Sequence, residues 1–251
     1  MYQSHHHSNN SYYSSSYNNS PSFGDKINVL LQFNNISQST KNVLVKVYNT
    51  LAMCLVAAAV GCAFSMYIYQ PNVILLLIAS VAAAYKFAST PRHDTQSRLT
   101  LLFAISSISG ISLAPLVNYA IEVDPSILMT AILATLAIFA SFSVFSLLTD
   151  KRMFLYLGGL LSTACIGLFV VSLGQLFIRS QAIDGILTTT LLVVLSAFII
   201  YDTQFIVYRI ENGDRDYIQH TFTLFIDLID LFRIVLRILI KNSKSKKKND
   251  N

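Results

Sequence analysis

The sequence predicts an all-α membrane protein in which six transmembrane helices surround a central seventh helix at the C-terminal end. Two bulk properties support this class: 53% of the 251 residues are hydrophobic and only 12% are charged, against roughly 25% charged in a soluble domain. In addition, the apolar residues occur in blocks of about 20, the length at which a helix crosses a hydrocarbon layer of about 30 Å. A β-barrel would show short alternating segments instead.

The N-terminal segment, residues 1–38, is rich in Asn, Ser, Tyr and His. It has too few aliphatic side chains to offset the entropic cost of ordering, so we expect a disordered tail. Its histidines, His5, His6 and His7, reflect composition rather than a metal site. The segment lacks the pattern of a cleavable signal peptide, so the first apolar block is expected to direct membrane insertion.

The predicted membrane domain covers residues 43–240. It contains seven apolar blocks, which are Val47–Tyr69, Val73–Ala88, Leu99–Ile121, Ser126–Leu148, Met153–Ile178, Ile183–Tyr208 and Thr221–Ile240. Short links with turn residues after the first and third blocks indicate antiparallel neighbours. Glycine and serine recur within the blocks, where small residues let helix backbones approach closely in lipid. The three cysteines lie in apolar blocks and are expected to be small buried side chains rather than disulfide partners or metal ligands.

Lysine and arginine concentrate in the links after the second, fourth and sixth blocks, which predicts that these links and the N-terminus face the cytosol. A seventh full span would then place the basic tail, residues 241–251, on the opposite side. The seventh block is also the least apolar, because it carries Asp227, Asp230, Arg233 and Arg237. It is therefore expected at the centre of the bundle, as a full span or as a re-entrant segment.

Most of the formal net charge of +5 comes from the lysines of this tail. We expect a solvated basic flank, with contact to anionic lipid as the alternative. Outside the apolar blocks there is no basic stripe with interleaved aromatic residues, so nucleic acid is not an expected partner.

Two aspartates lie in apolar runs without a basic residue at helical neighbour spacing: Asp202 in block six and Asp227 in block seven. A carboxylate near the bilayer centre costs about 2.5–3.5 kcal/mol on insertion scales, so each needs a partner, a proton or water. If the two face each other, repulsion opposes ionisation of both, and the pair would share a proton. When both are ionised, their oxygens could transiently bind a hard cation such as Ca²⁺.

Two other charged positions have competing interpretations. Asp230 and Arg233 are three residues apart, a spacing that favours a charge-balancing ion pair along one helix. Arg92 lies at the cytosolic end of block two, where an arginine either extends into the lipid headgroups or pairs with a buried aspartate as a latch.

The C-terminal third resembles the Bax inhibitor-1 family of transmembrane proteins. The resemblance is carried by Tyr201-Asp202-Thr203-Gln204, by Glu-Asn-Gly-Asp-Arg-Asp-Tyr-Ile-Gln-His at 211–220, and by Leu224-Phe225-Ile226-Asp227, and it covers roughly residues 43–248. It implies six helices around a central seventh, usually in the endoplasmic reticulum membrane, that permit a pH-sensitive calcium leak and restrain cell death.

The resemblance also implies that Asp202 pairs with Asp227 as the pH-sensing part of the ion pathway, and that the family's basic latch falls near Arg92. Asp230 stands where relatives are often uncharged, and Thr223 where some carry an acid. The acidic cluster is therefore shifted by about one turn of helix.

Other functions remain open at this level. A calcium/proton exchanger would use the same acids, whereas a non-conducting membrane scaffold would bind cell-death regulators through its tail or links. An intramembrane aspartyl protease matches Tyr201-Asp202, but Asn212-Gly213-Asp214 lacks the first glycine of that family's Gly-x-Gly-Asp motif. We therefore expect no enzymatic activity, and no cofactor apart from Ca²⁺ as the permeant ion.

Overall fold

A computed structural model describes residues 37–68, 71–148, 153–178 and 180–249. Within these ranges the chain forms seven helices, which are α1 (Gln38–Tyr67), α2 (Val73–Ser89), α3 (Thr95–Val123), α4 (Ser126–Leu148), α5 (Met153–Ile178), α6 (Gln181–Glu211) and α7 (Tyr217–Asn249). Five of the described helices are long and apolar enough to cross a membrane. The predicted all-α membrane class is confirmed. The predicted disordered tail, with its three histidines, lies outside the described residues except for positions 37 and 38.

Polar residues in the links set where several helices begin. The side-chain oxygens of Ser37, Asn72 and Asp94 each accept a hydrogen bond from a backbone N–H in the first turn of the helix that follows. Such caps satisfy N–H groups that have no partner within the helix. As a result α1 and α3 begin several residues before their apolar blocks.

The closest helix packing joins α1 to α3 and depends on glycine. A Cβ atom added to Gly110 would collide with the backbone of Ala58, and one added to Gly61 would collide with the backbone of Ser107. Only residues without a side chain allow the two backbones to lie this close. The small residues of block three therefore have the packing role predicted for them.

Helix α7 is continuous from Tyr217 to Asn249 and packs against α1, α3, α4 and α6. Its fully buried side chains include Leu224, Phe225 and Leu231. The helix has 33 residues, which at 1.5 Å each correspond to about 50 Å, more than a hydrocarbon layer requires. No break interrupts this helix, so its internal backbone groups are satisfied along its whole length.

The basic end of α7 contacts the bundle. Lys241 Nζ lies 3.0 Å from Asp184 Oδ2 near the start of α6, and Lys247 Nζ donates a hydrogen bond of 2.6 Å to the carbonyl of Val123, the last residue of α3. The predicted tail thus begins as a continuation of the helix. It lies at the end of the bundle opposite Tyr217, beside the links that follow blocks three and five.

Candidate functional site

The structure brings together the two aspartates selected from the sequence. Asp202 lies on α6 between the buried residues Ile199 and Ile206, and Asp227 lies on α7 with 9% of its surface exposed. The two carboxyl groups lie close enough to interact directly. Because a carboxylate only accepts hydrogen bonds, a hydrogen bond between them would require a proton on one of the two groups.

The surroundings of the pair oppose full ionisation. Leu224, Leu228 and Leu231, on the same helix as Asp227, are buried, and the Oδ2 atom of Asp227 is buried without a hydrogen-bond partner among the described residues. If both carboxyl groups were ionised, their negative charges would repel strongly, because the dielectric constant is low inside the bundle. Two carboxyl groups coupled in this way are expected to take up and release protons as a pair.

The same oxygens can serve a cation only in part. Two carboxylates offer at most four oxygen ligands, whereas Ca²⁺ takes six to eight. The described residues contain no group of three or more His, Cys, Asp or Glu side chains arranged to hold a metal ion. Any cation held by these two carboxyl groups alone would have to keep part of its water shell.

The predicted pair of Asp230 and Arg233 is present, with 2.7 Å between Oδ1 and Nη1. Both side chains are partly exposed, and each neutralises the other along one face of α7. Asp230 is thus balanced by an arginine, whereas Asp227 faces another carboxyl group, that of Asp202.

Arg92 pairs with other aspartates than those expected from the sequence. Its guanidinium lies 3.8 Å from Asp214 Oδ1 and 3.9 Å from Asp216 Oδ2, both in the link between α6 and α7. About 14 Å of helix rise separates Asp202 from the end of α6. In this structure Arg92 therefore lies at the helix ends and does not reach the buried pair, and a latch to that pair stays a prediction.

Arg98, a buried arginine that the sequence did not single out, shares Asp216 with Arg92. Arg98 is 4% exposed and directs Nη1 to Asp216 Oδ2 at 2.5 Å. Its Nη2 donates to Gln219 Oε1 at 3.3 Å, and its guanidinium carbon lies 4.9 Å from the centre of the Phe87 ring. The other oxygen of Asp216 accepts the backbone N–H of Gln219 and so caps α7. Asp216 thus joins α3 to the first turn of α7.

Asp214 completes this arrangement, which we call the end cluster (Arg92, Arg98, Arg209, Asp214 and Asp216). Arg209 Nη2 lies 2.5 Å from Asp214 Oδ2, and the backbone N–H of Asp216 donates to Asp214 Oδ1. Partial burial raises the pKa of Asp214, but this hydrogen bond and the charge of Arg209 outweigh it, so the pKa lies below its usual value. The preceding Gly213, with φ of 93°, supplies the left-handed turn that brings the link back to the bundle.

Comparison with known proteins agrees with this architecture. Residues 40–244 match the family model described as "Inhibitor of apoptosis-promoting Bax1". The chain is 42% identical to the Bax inhibitor 1 homolog of Dictyostelium discoideum, over 90% of this chain and 91% of the relative. It is 38% identical to human Bax inhibitor 1, over 90% and 98% of the two chains, and 37% identical to the Arabidopsis thaliana protein, over 86% and 88%. The chain belongs to the Bax inhibitor-1 family.

Proposed function

We propose that this protein is a pH-sensitive calcium leak channel of an intracellular membrane, which lowers stored calcium and suppresses programmed cell death. The observation that carries the proposal is the close approach of the carboxyl groups of Asp202 and Asp227 inside the bundle. The restraint of cell death is supported by the family, whose members are named for inhibition of Bax.

The pair would act as the gate through its protonation state. With one proton bound, the site carries a single negative charge and the carboxyl groups hold each other. When the proton leaves, two carboxylates repel each other and attract a divalent cation, so the local charge and the contact between α6 and α7 change together. The pH of the solution beside the membrane would set the ratio of the singly protonated to the fully ionised pair.

The wider setting is part of the same proposal. In this proposal six spans surround α7, and the membrane is that of the endoplasmic reticulum. The N-terminus is cytosolic, in line with the arginines in the links after the second, fourth and sixth apolar blocks. Cell-death regulatory membrane proteins are the proposed protein partners. The proposed function is not enzymatic. The acid of the Asn-Gly-Asp sequence, Asp214, is engaged by Arg92 and Arg209.

Calcium flux into liposomes containing the purified full-length protein, measured across pH, tests the gate. We expect wild-type flux to depend on pH, and we expect Asp227→Asn and Asp202→Asn to remove that dependence. Glu122→Gln, which changes an acid exposed at the end of α3, is the control and should retain it.

Absence of flux, or the same pH profile in wild type and Asp227→Asn, would contradict the leak proposal. A proton flux in the opposite direction that accompanies Ca²⁺ would instead identify an exchanger. Wild-type and variant proteins that are equally inactive in flux but equally protective in cells would identify a scaffold.

A further inference from the structure

A second group of buried polar atoms lies between α1, α4 and α6, whereas Asp202 and Asp227 meet between α6 and α7. We call it the hydroxyl cluster (Tyr48, Ser143, Thr203 and Gln204). Ser143, Thr203 and Gln204 are 4%, 1% and 5% exposed. The hydroxyl oxygens of the first three residues and Oε1 of Gln204 are buried without a hydrogen-bond partner of normal geometry among the described residues. Buried polar atoms are seldom left in this state.

Contacts between α4 and α6 explain how these groups converge. Ser146 donates to the carbonyl of Ile200 at 2.8 Å, and the side-chain NH₂ of Gln204 reaches the carbonyl of Ser146 at 3.4 Å. Ser143 lies about one turn before Ser146, and Thr203 about one turn after Ile200, so their hydroxyls lie along the same seam. From α1, the Tyr48 hydroxyl approaches both of them.

The chemistry of the four groups distinguishes between ligands. The three hydroxyls bring three O–H donors as well as acceptor lone pairs, and the Gln204 oxygen is an acceptor only. A bare cation could contact the oxygens, but it would leave the three O–H donors without acceptors. Water donates and accepts, and a buried water normally makes two to four such bonds. We propose that the hydroxyl cluster binds ordered water inside the bundle.

The position of this water site relates it to the carboxyl pair. Thr203 directly follows Asp202 on α6, so the two residues differ by about 1.5 Å in depth and about 100° around the helix axis. Water in the cluster would stand at the depth of Asp202, on the adjacent face, and could exchange protons with that region. This last role rests on the proposed function, whereas the binding of water does not.

Hydroxyl-radical footprinting by X-ray radiolysis tests the site, because radicals formed from bound water oxidise the aromatic side chains next to it. The full-length protein is irradiated in lipid nanodiscs without Ca²⁺. We expect Tyr48 to be oxidised several-fold faster than Phe139, a buried aromatic residue on α4 one turn from Ser143. The double variant Ser143→Ala/Thr203→Val should slow Tyr48 oxidation markedly and leave Phe139 unchanged. Tyr48 oxidation no faster than that of Phe139, or unchanged in the double variant, would overturn the proposal.

Thermal unfolding of Thr203→Val alone gives an independent answer, since valine has nearly the same shape as threonine. If the cluster holds water, removal of one hydroxyl takes a hydrogen bond from that water and lowers the midpoint. If the cluster is dry, removal of an unpaired buried hydroxyl raises the midpoint, which would overturn the proposal. Neither measurement involves ion flux, so the water site and the calcium leak can fail separately.

Discussion

Removal of the Asp216 carboxylate is expected to destabilise the protein strongly. One carboxylate oxygen caps α7 through the Gln219 N–H, and the other is the ion-pair partner of Arg98, which is only 4% exposed. Loss of a helix cap costs about 1 kcal/mol, and a buried charge left without its partner costs about 3–5 kcal/mol, so Asp216→Ala should cost about 4–6 kcal/mol. Whole domains are stable by only about 5–15 kcal/mol. Relaxation of Arg98 toward Gln219 and Phe87 places the expected value at the lower end.

Asp216→Asn separates the two contributions, because its amide oxygen can still cap α7 while the negative charge is lost. Unfolding can be followed by labelling of the fully buried Cys54 with a thiol-reactive dye, in a Cys62→Ser/Cys165→Ser background. We expect the unfolding midpoint to be highest for the wild type, lower for Asp216→Asn and lowest for Asp216→Ala. An Ala variant that unfolds at the wild-type midpoint would refute the reasoning, because the Arg98 guanidinium would then need no counter-charge.

Other changes test the packing, the pH response and the topology. Gly110→Val should lower the free energy of unfolding by about 1–3 kcal/mol or more, because the larger side chain overpacks the contact with α1. Gly159→Val should not lower it, because nothing lies within 4 Å of the added Cβ. Because the pKa of Asp214 is lowered in the folded state, its stabilisation is present above about pH 4 and is lost as pH falls further; Asp214→Asn should weaken the acid sensitivity of the midpoint. A membrane-impermeant thiol reagent should label Ser245→Cys and Thr95→Cys from opposite sides of sealed vesicles, and labelling from one side would contradict a spanning α7.

The membrane class and the helix order could be predicted from the sequence because lipid leaves few alternatives. A block of about 20 apolar residues satisfies its own backbone only as a helix. The pair of Asp230 and Arg233 was predictable for a similar reason, since a spacing of three residues determines that two side chains share a helix face. In both cases a local pattern was sufficient.

The partners of the arginines were not predictable in this way. Arg98 and Asp216 are 118 positions apart, and the bias of basic residues toward cytosolic links treats Arg92 and Arg98 alike. Packing decides which one is buried: Arg98 lies over Phe87 and meets the cap of α7, whereas the side chain of Arg92 remains 68% exposed. The sequence signal was Asp216 itself, an aspartate a few residues before the last apolar block, in the region where a helix cap is expected.

The hydroxyl cluster shows a similar limit at a smaller scale. Serine and threonine in apolar helices commonly bond to a carbonyl of their own helix, as Ser106, Thr188 and Ser196 do. Sequence alone does not distinguish such a hydroxyl from the hydroxyl of Thr203, which is buried without a partner of this kind. The distinction depends on how α1 and α4 meet α6.

The charges on and around α7 differ in what neutralises them, and this difference locates the response to pH. Several are balanced by a side chain of opposite charge, as in the pairs Arg98–Asp216, Asp230–Arg233 and Lys241–Asp184. Under the proposed function, Asp227 is instead balanced by a proton shared with Asp202. A counter-ion that belongs to the protein stays in place when the solution changes, whereas a proton is exchanged with it. If the bundle responds to pH near neutrality, the response should therefore begin between α6 and α7. During that response the ion pairs of the end cluster should keep the start of α7 in place.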